Sequence, residues 1–250
     1  MLPTAPPTDT VSETLTRFFR AGVFWLIHVG CFLAIWTGVS PLWVGVCVAL
    51  YAVRMFGVTA GYHRYFSHKT FKLGRVPQFL LAWLAQSTCQ KSVLWWAAHH
   101  RHHHRHSDKE TDIHSPHQQG FWYSHVGWIL DPETDDTNML MVRDWQRFPE
   151  LLWLHRNDMV PPFSLALACF LLGGLEGLIV GFCWSTVLLW HGTFTINSLS
   201  HVFGTRRYET SDDSRNNPLL AFITLGEGWH NNHHHYPGSC RQGFRSTSST

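Results

Sequence analysis

Residues 21–40 carry no charged side chain, and the apolar pattern resumes over 42–62 with Arg54 as its single charge. About 20 apolar residues are enough for a helix to cross a bilayer. Ser40-Pro41 separates the two runs, so they predict a helical hairpin, and Arg54 is expected to extend its charged head from near a helix end. A second pair of apolar runs fills 160–200, where Glu176 is the only charge and Gly173-Gly174 and Gly177 mark the turn. Residues 76–98 are apolar but interrupted by Gln86, Gln90 and Lys91. They predict one helix, buried under a cap or lying along the membrane surface, that runs into the polar tract at 99–106. The fold class expected is therefore an all-α integral membrane protein: four transmembrane helices in two hairpins, and a helical cap built from the polar segments. At 28.8 kDa the chain reads as a single domain over 1–250, without a fused reductase. Residues 1–16 are expected to be disordered, and 236–250 reads as a shortened tail.

The loops set an orientation. The turns near 40 and 174 contain no Lys or Arg, whereas Arg17, Arg20, the segment 63–158 and the tail are rich in them. The positive-inside rule then places both termini and the cap in the cytoplasm of a multi-pass membrane protein. The Pro/Thr-rich start does not read as a signal peptide. With a net charge of +2 and only 14% charged residues, no nucleic-acid footprint is present. Six cysteines stand singly and read as small buried hydrophobes. Trp25, Trp36, Trp43 and Trp190 lie in or near the apolar runs, where indoles favour the membrane interface.

The polar segments hold the chemistry. Nineteen histidines are present, and most fall in three bursts: HRYFSH at 63–68, HHRHHHRH at 99–106 and HNNHHH at 230–235. Imidazole is the commonest side-chain metal ligand, so recurring bursts point to a metal site. Residues three and four apart share a helix face. His100, His103 and His104 therefore converge, as do His230, His233 and His234. His99, His102 and His106 form a rival stripe, and periodicity does not choose between them. His63 and His68 are five apart and need a helix end or a loop to meet. Asp108, Glu110, Asp112 and Glu227 are placed to orient imidazole N–H groups. His114, His117 and His125 read as structural or supporting, and His28, His155 and His191 as ordinary hydrogen-bonded histidines. No Ser-His-Asp or Cys-His arrangement suggests nucleophilic catalysis.

The motifs HRYFSH, WWAAHHRHHHRHSD, GFWYSHVGWIL, NSLSH and GEGWHNNHHHYP, in this order between two apolar hairpins, resemble the membrane fatty acyl desaturases of the stearoyl-CoA desaturase type. The resemblance covers most of 21–240. It implies a cytosolic di-iron centre and the O2-dependent insertion of a cis double bond, most often at the ninth carbon, into a saturated acyl chain. Carried over by position, it assigns His63, His68, His100, His104 and His233 to one iron. His103, His201, His230 and His234 go to the other, with Asn197 acting through a water. It thereby selects the His100/His103/His104 stripe and leaves His99, His102 and His106 as supporting candidates. Trp96, Trp128 and Phe194 match positions that line the acyl tunnel or cap it. A separate electron donor is implied: ferredoxin, rubredoxin or a b-type cytochrome. The substrate implied is a fatty acyl thioester or an acyl lipid in contact with membrane lipid. Asp131-Pro132-Glu133 and Ala98-His99 stand where animal members carry residues for the CoA end, which points towards a lipid or carrier-protein ester. The alternatives are a histidine-box hydroxylase acting on alkanes, sterols or carotenoids, and an inactive metal-binding homologue.

Overall fold

The computed structural model describes the backbone of residues 11–243 and the side chains from residue 18 onward. All of its regular elements are helices. Helix α1 (Val11–Gly30) continues through a 3-10 turn to Thr37. It begins inside the stretch expected to be disordered; residues 1–10, and 244–250 of the tail, lie outside the described residues. Gly38, at φ 78°, ends the helix, and Ser40 then caps α2 (Pro41–Phe56) by accepting from Trp43 N. Proline at the first helical position costs no hydrogen bond, which makes Ser40-Pro41 a start signal as well as a break. Helix α2 runs on as a π-helix over Gly57–Ser67.

Three helical segments are long and apolar enough to cross a membrane: Phe18–Thr37, Pro41–Ser67 and Val160–His201. The third is not straight. Gly174 adopts φ 57°, ψ −143°, and the chain folds back there. A Cβ at Gly181 would stand 3.7 Å from Cys169 Sγ, whereas 12 residues of straight helix would separate them by about 18 Å. Trp43 lies directly over the bend, where a Cβ on Gly173 would come within 1.8 Å of its ring. The Ser40 amide donates to Glu176 Oε1 at 2.5 Å. The one charge of the second apolar region thus ties the two turns together.

Two expectations are corrected near the centre of the molecule. Residues 76–98 form two helices, α3 (Arg75–Gln86) and α4 (Val93–His106), separated by a break in which Cys89 and Lys91 take positive φ. The break is held by side chains that donate to three of its carbonyls. Ser87 O accepts from Arg54, Thr88 O from Trp190 Nε1 at 2.8 Å, and Lys91 O from Tyr62 Oη at 2.6 Å. Ser92 then caps α4 through Trp95 N. Arg54 accordingly does not reach for the surface. Its residue is 1% exposed, and its guanidinium donates to Ser87 O, Thr186 Oγ1 and Ser185 Oγ at 2.7–3.1 Å. A buried cation is tolerated when its N–H groups are satisfied in this way. Trp190 is also buried, held by Thr88, while Trp25 and Trp36 face outward.

The remaining elements include short helical turns between residues 116 and 142, α5 (Pro149–Arg156) and, after α6 (Val160–Glu176) and α7 (Ser185–Ser198), a 3-10 turn at Leu199–His201, α8 (Pro218–Ile223) and α9 (His230–His235). Met55, Tyr62, Phe66, Leu94, Leu151, Leu189 and Phe194 are fully buried in one shared hydrophobic core. By contrast Leu26, Phe32, Ile35, Leu42, Leu171 and Leu172 are exposed along the spans. An uncovered apolar surface of that extent is expected of a lipid-facing wall.

Candidate metal centre

The π-helix solves the five-residue spacing. His68 N donates to His63 O at 3.2 Å, an i+5 to i hydrogen bond, so the two rings meet edge to face on one side with centroids 4.9 Å apart. Helix α4 presents His100, His103 and His104 towards them. Helix α9 brings His230, His233 and His234, and the turn after α7 brings His201.

Two all-histidine groups result, each with ligand atoms within 4.8 Å of one another, and His103 also forms a smaller group with Asp112 and His114. The first is His63, His68, His100, His104 and His233; the second is His103, His201, His230 and His234. In the first group Nε2 faces Nε2: His63 to His233 at 2.8 Å, His68 to His100 at 2.8 Å, His104 to His100 at 3.0 Å and His233 to His104 at 2.9 Å. In the second, His201 Nε2 lies 2.9 Å from His230 Nε2, while the Nε2 atoms of His103 and His234 are buried without a partner. Converging ring nitrogens, some without a donor to meet them, fit a pair of cations held by imidazoles.

The outer nitrogens are oriented by carboxylates. His103 Nδ1 donates to both oxygens of Asp112 at 3.1 Å, His201 Nδ1 to Asp108 Oδ2 at 2.8 Å and His234 Nδ1 to Asp212 Oδ2 at 2.7 Å. His63 Nδ1 meets Glu227. Burial, with the neighbouring imidazoles, holds His100, His104, His230 and His233 well below the usual histidine range and lowers His68 to about 2. Such rings stay neutral at pH 7, the form that binds metal. Burial also lowers His234, to about 4, against the pull of Asp212. Burial opposes protonation of His103 too, but Asp112 outweighs it and raises the ring. Burial alone would raise Asp108, Asp112 and Asp212; their histidine partners overcome it and hold all three low.

The other candidates distribute themselves clearly. Asp212 had no sequence signal, because it reaches His234 only through the packing of the 205–215 loop on α9. Glu110 is exposed. His99 stacks on Trp95, while His102 and His106 stack on each other and bond Thr111, so the rival stripe faces away from both groups. His114 stacks on His103 with centroids 4.4 Å apart, and His117 Nε2 donates to His201 O. His28, His191 and His125 form a separate hydrogen-bonded row.

Three adjoining cavities run outward from the histidine groups. The inner one is lined by Met55, Val58, Trp96, Asn197 and several of the histidines. The middle one, which shares Trp96, Thr193 and Asn197 with it, adds Gln90, Trp95, Trp128 and Phe194. The outer one shares Phe24, Lys91 and Trp190 with the middle and ends at Arg20, Asp135 and Met159. Trp96, Trp128 and Phe194 thus all stand on the wall, and Asn197 stands beside His103 and His230.

Residues 38–245 match the family model for fatty acid desaturases. The chain is 34% identical over 228 residues to an acyl-CoA C20 Delta5-desaturase of Anemone leveillei, covering 87% of this chain and 70% of that one. It is 36% identical to the sn-2 palmitoyl-lipid 9-desaturase of a Nostoc species, over 75% of this chain and 67% of the other. It is 37% identical to Delta-9 acyl-lipid desaturase 2 of Arabidopsis thaliana, over 82% and 67%. An all-helical chain with three apolar spanning segments, two buried histidine groups and this extent of similarity belongs to the fatty acid desaturase family.

Proposed function

We propose that this fatty acyl desaturase holds two iron ions in its two histidine groups and inserts a cis double bond at the ninth carbon of a saturated acyl chain carried on a lipid or on CoA. The overall change balances as CH2–CH2 + O2 + 2 electrons + 2 protons giving CH=CH + 2 H2O, with the electrons coming from a separate ferredoxin, rubredoxin or b-type cytochrome. Bound iron would supply an oxidant drawn from dioxygen, which no side chain can furnish.

The chain's own residues do the rest. His63, His68, His100, His104 and His233 would hold one ion. His103, His201, His230 and His234 would hold the other, with Asn197 beside it through a water. Asp108, Asp112, Asp212 and Glu227 fix the imidazoles in the tautomer that leaves Nε2 free to bind. Trp96, Trp128 and Phe194 shape an apolar passage that positions a chain lacking any polar handle at its middle.

The observation that carries this reading is the row of adjoining cavities that leads to the histidine groups. Expression in a desaturase-deficient host with fatty-acid profiling tests it, alongside iron analysis of the purified protein. We place the cap, the metal groups and both termini in the cytoplasm, with four spans counted as two hairpins; the fold-back at Gly174 and the loop charges support this. Cysteines introduced at Lys109 and Arg206 should then label from the cytoplasm, and one at Val39 from the opposite side.

A further inference from the structure

Four of the five histidines of the first group are followed directly by a cation: His63 by Arg64, His68 by Lys69, His100 by Arg101 and His104 by Arg105. None of the four in the second group is. Arg64 turns inward, to Glu227 at 3.3 Å. The other three belong to one surface, where the 141–150 segment joins them. Asp144 meets both Arg101, at 2.9 Å, and Lys69, at 3.2 Å, and Arg105 Nη1 lies 3.1 Å from Met141 Sδ. Arg75 pairs with Glu150 at 2.7 Å and extends the same surface.

The charge here is unbalanced. Segments 66–75, 101–105 and 141–150 carry seven cations and two carboxylates, whereas the whole chain has a net charge of only +2, so the rest of it is acidic on balance. The loop 205–215, which reaches the second group through Asp212, sets three arginines against Glu209, Asp212 and Asp213. Lys72, Arg105, Arg143 and Arg147 are exposed, and the Lys69 side chain is 54% exposed. Aromatic rings hold part of this charge in place. Lys69 Nζ sits 5.7 Å over Trp145 and Arg147 Cζ 4.9 Å over Phe148, while Trp145 Nε1 donates to Phe66 O at 2.8 Å.

A fixed positive surface speeds encounter with an acidic partner. Desaturation calls for two electrons from a separate protein, and electron tunnelling weakens steeply with distance. At this surface exposed Lys69 is bonded directly to His68, so a docked carrier meets the shortest covalent path to a histidine group. Resting on the desaturase reading above, we infer that the basic face over His68, His100 and His104 is the docking surface for an acidic one-electron carrier of the ferredoxin type. Anionic lipid head groups would be drawn to the same charges, but a lipid contact gives no reason for the cations to follow the members of one histidine group and not the other. Weak, charge-steered contact suits the task, because each double bond needs two one-electron deliveries.

The test uses the full chain in nanodiscs of phosphatidylcholine, which has no net charge. The first probe is an acidic [2Fe–2S] ferredoxin with gallium in place of iron, which keeps the acidic surface and carries no electron. Its Kd should weaken about tenfold or more in the triple variant Lys72→Glu/Arg143→Glu/Arg147→Glu, and likewise for the unaltered protein as salt rises from about 0.1 M to about 1 M. Lys109→Glu, the same charge change beyond the end of α4, should shift it by less than about twofold. In the iron-loaded protein, kept free of oxygen and acyl substrate, the triple variant should slow oxidation of reduced native ferredoxin about tenfold. Reduction by photoreduced deazaflavin, a small uncharged donor, should stay within about twofold, because it needs no charged docking face. Equal ferredoxin binding by the triple variant and the unaltered protein would overturn the inference, as would equal slowing with both donors. So would an effect confined to nanodiscs containing phosphatidylglycerol, which would assign the face to lipid head groups. The gallium probe reads docking without iron, so a protein that binds it through this face but makes no double bond fails the desaturase reading alone. One that makes the double bond with ferredoxin, at a Kd unchanged in the triple variant, fails the docking surface alone.

Discussion

The two histidine groups are built differently. The first gathers five imidazoles, and of these, among the described residues, only His63 has a carboxylate behind it, Glu227. The second gathers four, and His103, His201 and His234 are each backed by an aspartate. A carboxylate behind an imidazole increases its electron donation and fixes its orientation. The first group therefore relies on the number of ligands, and the second on their charge and rigidity. The second ion is expected to be the more tightly held and the more electron-rich of the pair.

The largest effect should come from deleting a ligand. His103→Ala removes one of four ligands and should abolish retention of the second iron and all product. His102→Ala, on the opposite side of α4, should leave two irons per chain and measurable desaturation. Metal analysis of the two purified variants reads this directly; iron lost from His102→Ala and kept in His103→Ala would reverse the face of the helix.

Removing a carboxylate should act less severely and on one ion only. Asp112→Asn or Asp212→Asn is expected to weaken the second ion by about 10–100-fold, whereas Glu227→Gln should weaken the first. Iron retention during stepwise chelation, followed by Mössbauer spectra of the two ions, distinguishes these outcomes. Equal loss from both ions in all three variants would show that the groups are not independent.

A smaller effect should arise beneath the second group at Ser124, whose hydroxyl donates to Asn197 O at 2.8 Å. Ser124→Ala removes a buried hydrogen bond and should cost about 1 kcal/mol of stability. Thermal unfolding in detergent measures it, and a loss of iron without any loss of stability would give Ser124 a different role.

A further effect is on pH dependence, through a histidine in neither group. Burial lowers His99 to about 4, against about 6.5 in an unfolded chain. Between those values the unfolded chain binds more protons. The stability contribution is therefore complete above pH 6.5 and declines as pH falls towards 4. His99→Phe should flatten that decline in the metal-free protein, as followed by unfolding midpoints from pH 7 to pH 4.

The long apolar segments, the turn at Ser40-Pro41 and the converging faces at 100–104 and 230–234 were legible because each follows from local periodicity. Arg54 and the break at 87–92 were not, because each is explained by the other: a carbonyl freed by one segment satisfies a cation from another. Asp212 was hidden for the same reason, its partner being 22 residues away across a loop. The assignment of His100, His103 and His104 over the rival stripe came from resemblance. The packing places the two faces apart, the rival one against Trp95 and Thr111.

The π-helix over Gly57–Ser67 also makes the first histidine group sensitive to length in a way that no side-chain substitution reveals. An α-helix advances by about 100° per residue, so two rings five apart would point some 140° away from each other in it. Wider winding is what brings His63 and His68 onto one side. Deleting a single residue between them would leave four, a spacing that an ordinary α-helix aligns, and would let the segment relax to that winding. The rings would still meet each other, but the shortened segment would no longer deliver both of them to His100 and His233. In this protein the winding of one stretch of backbone acts as a ruler, and the site is calibrated to it.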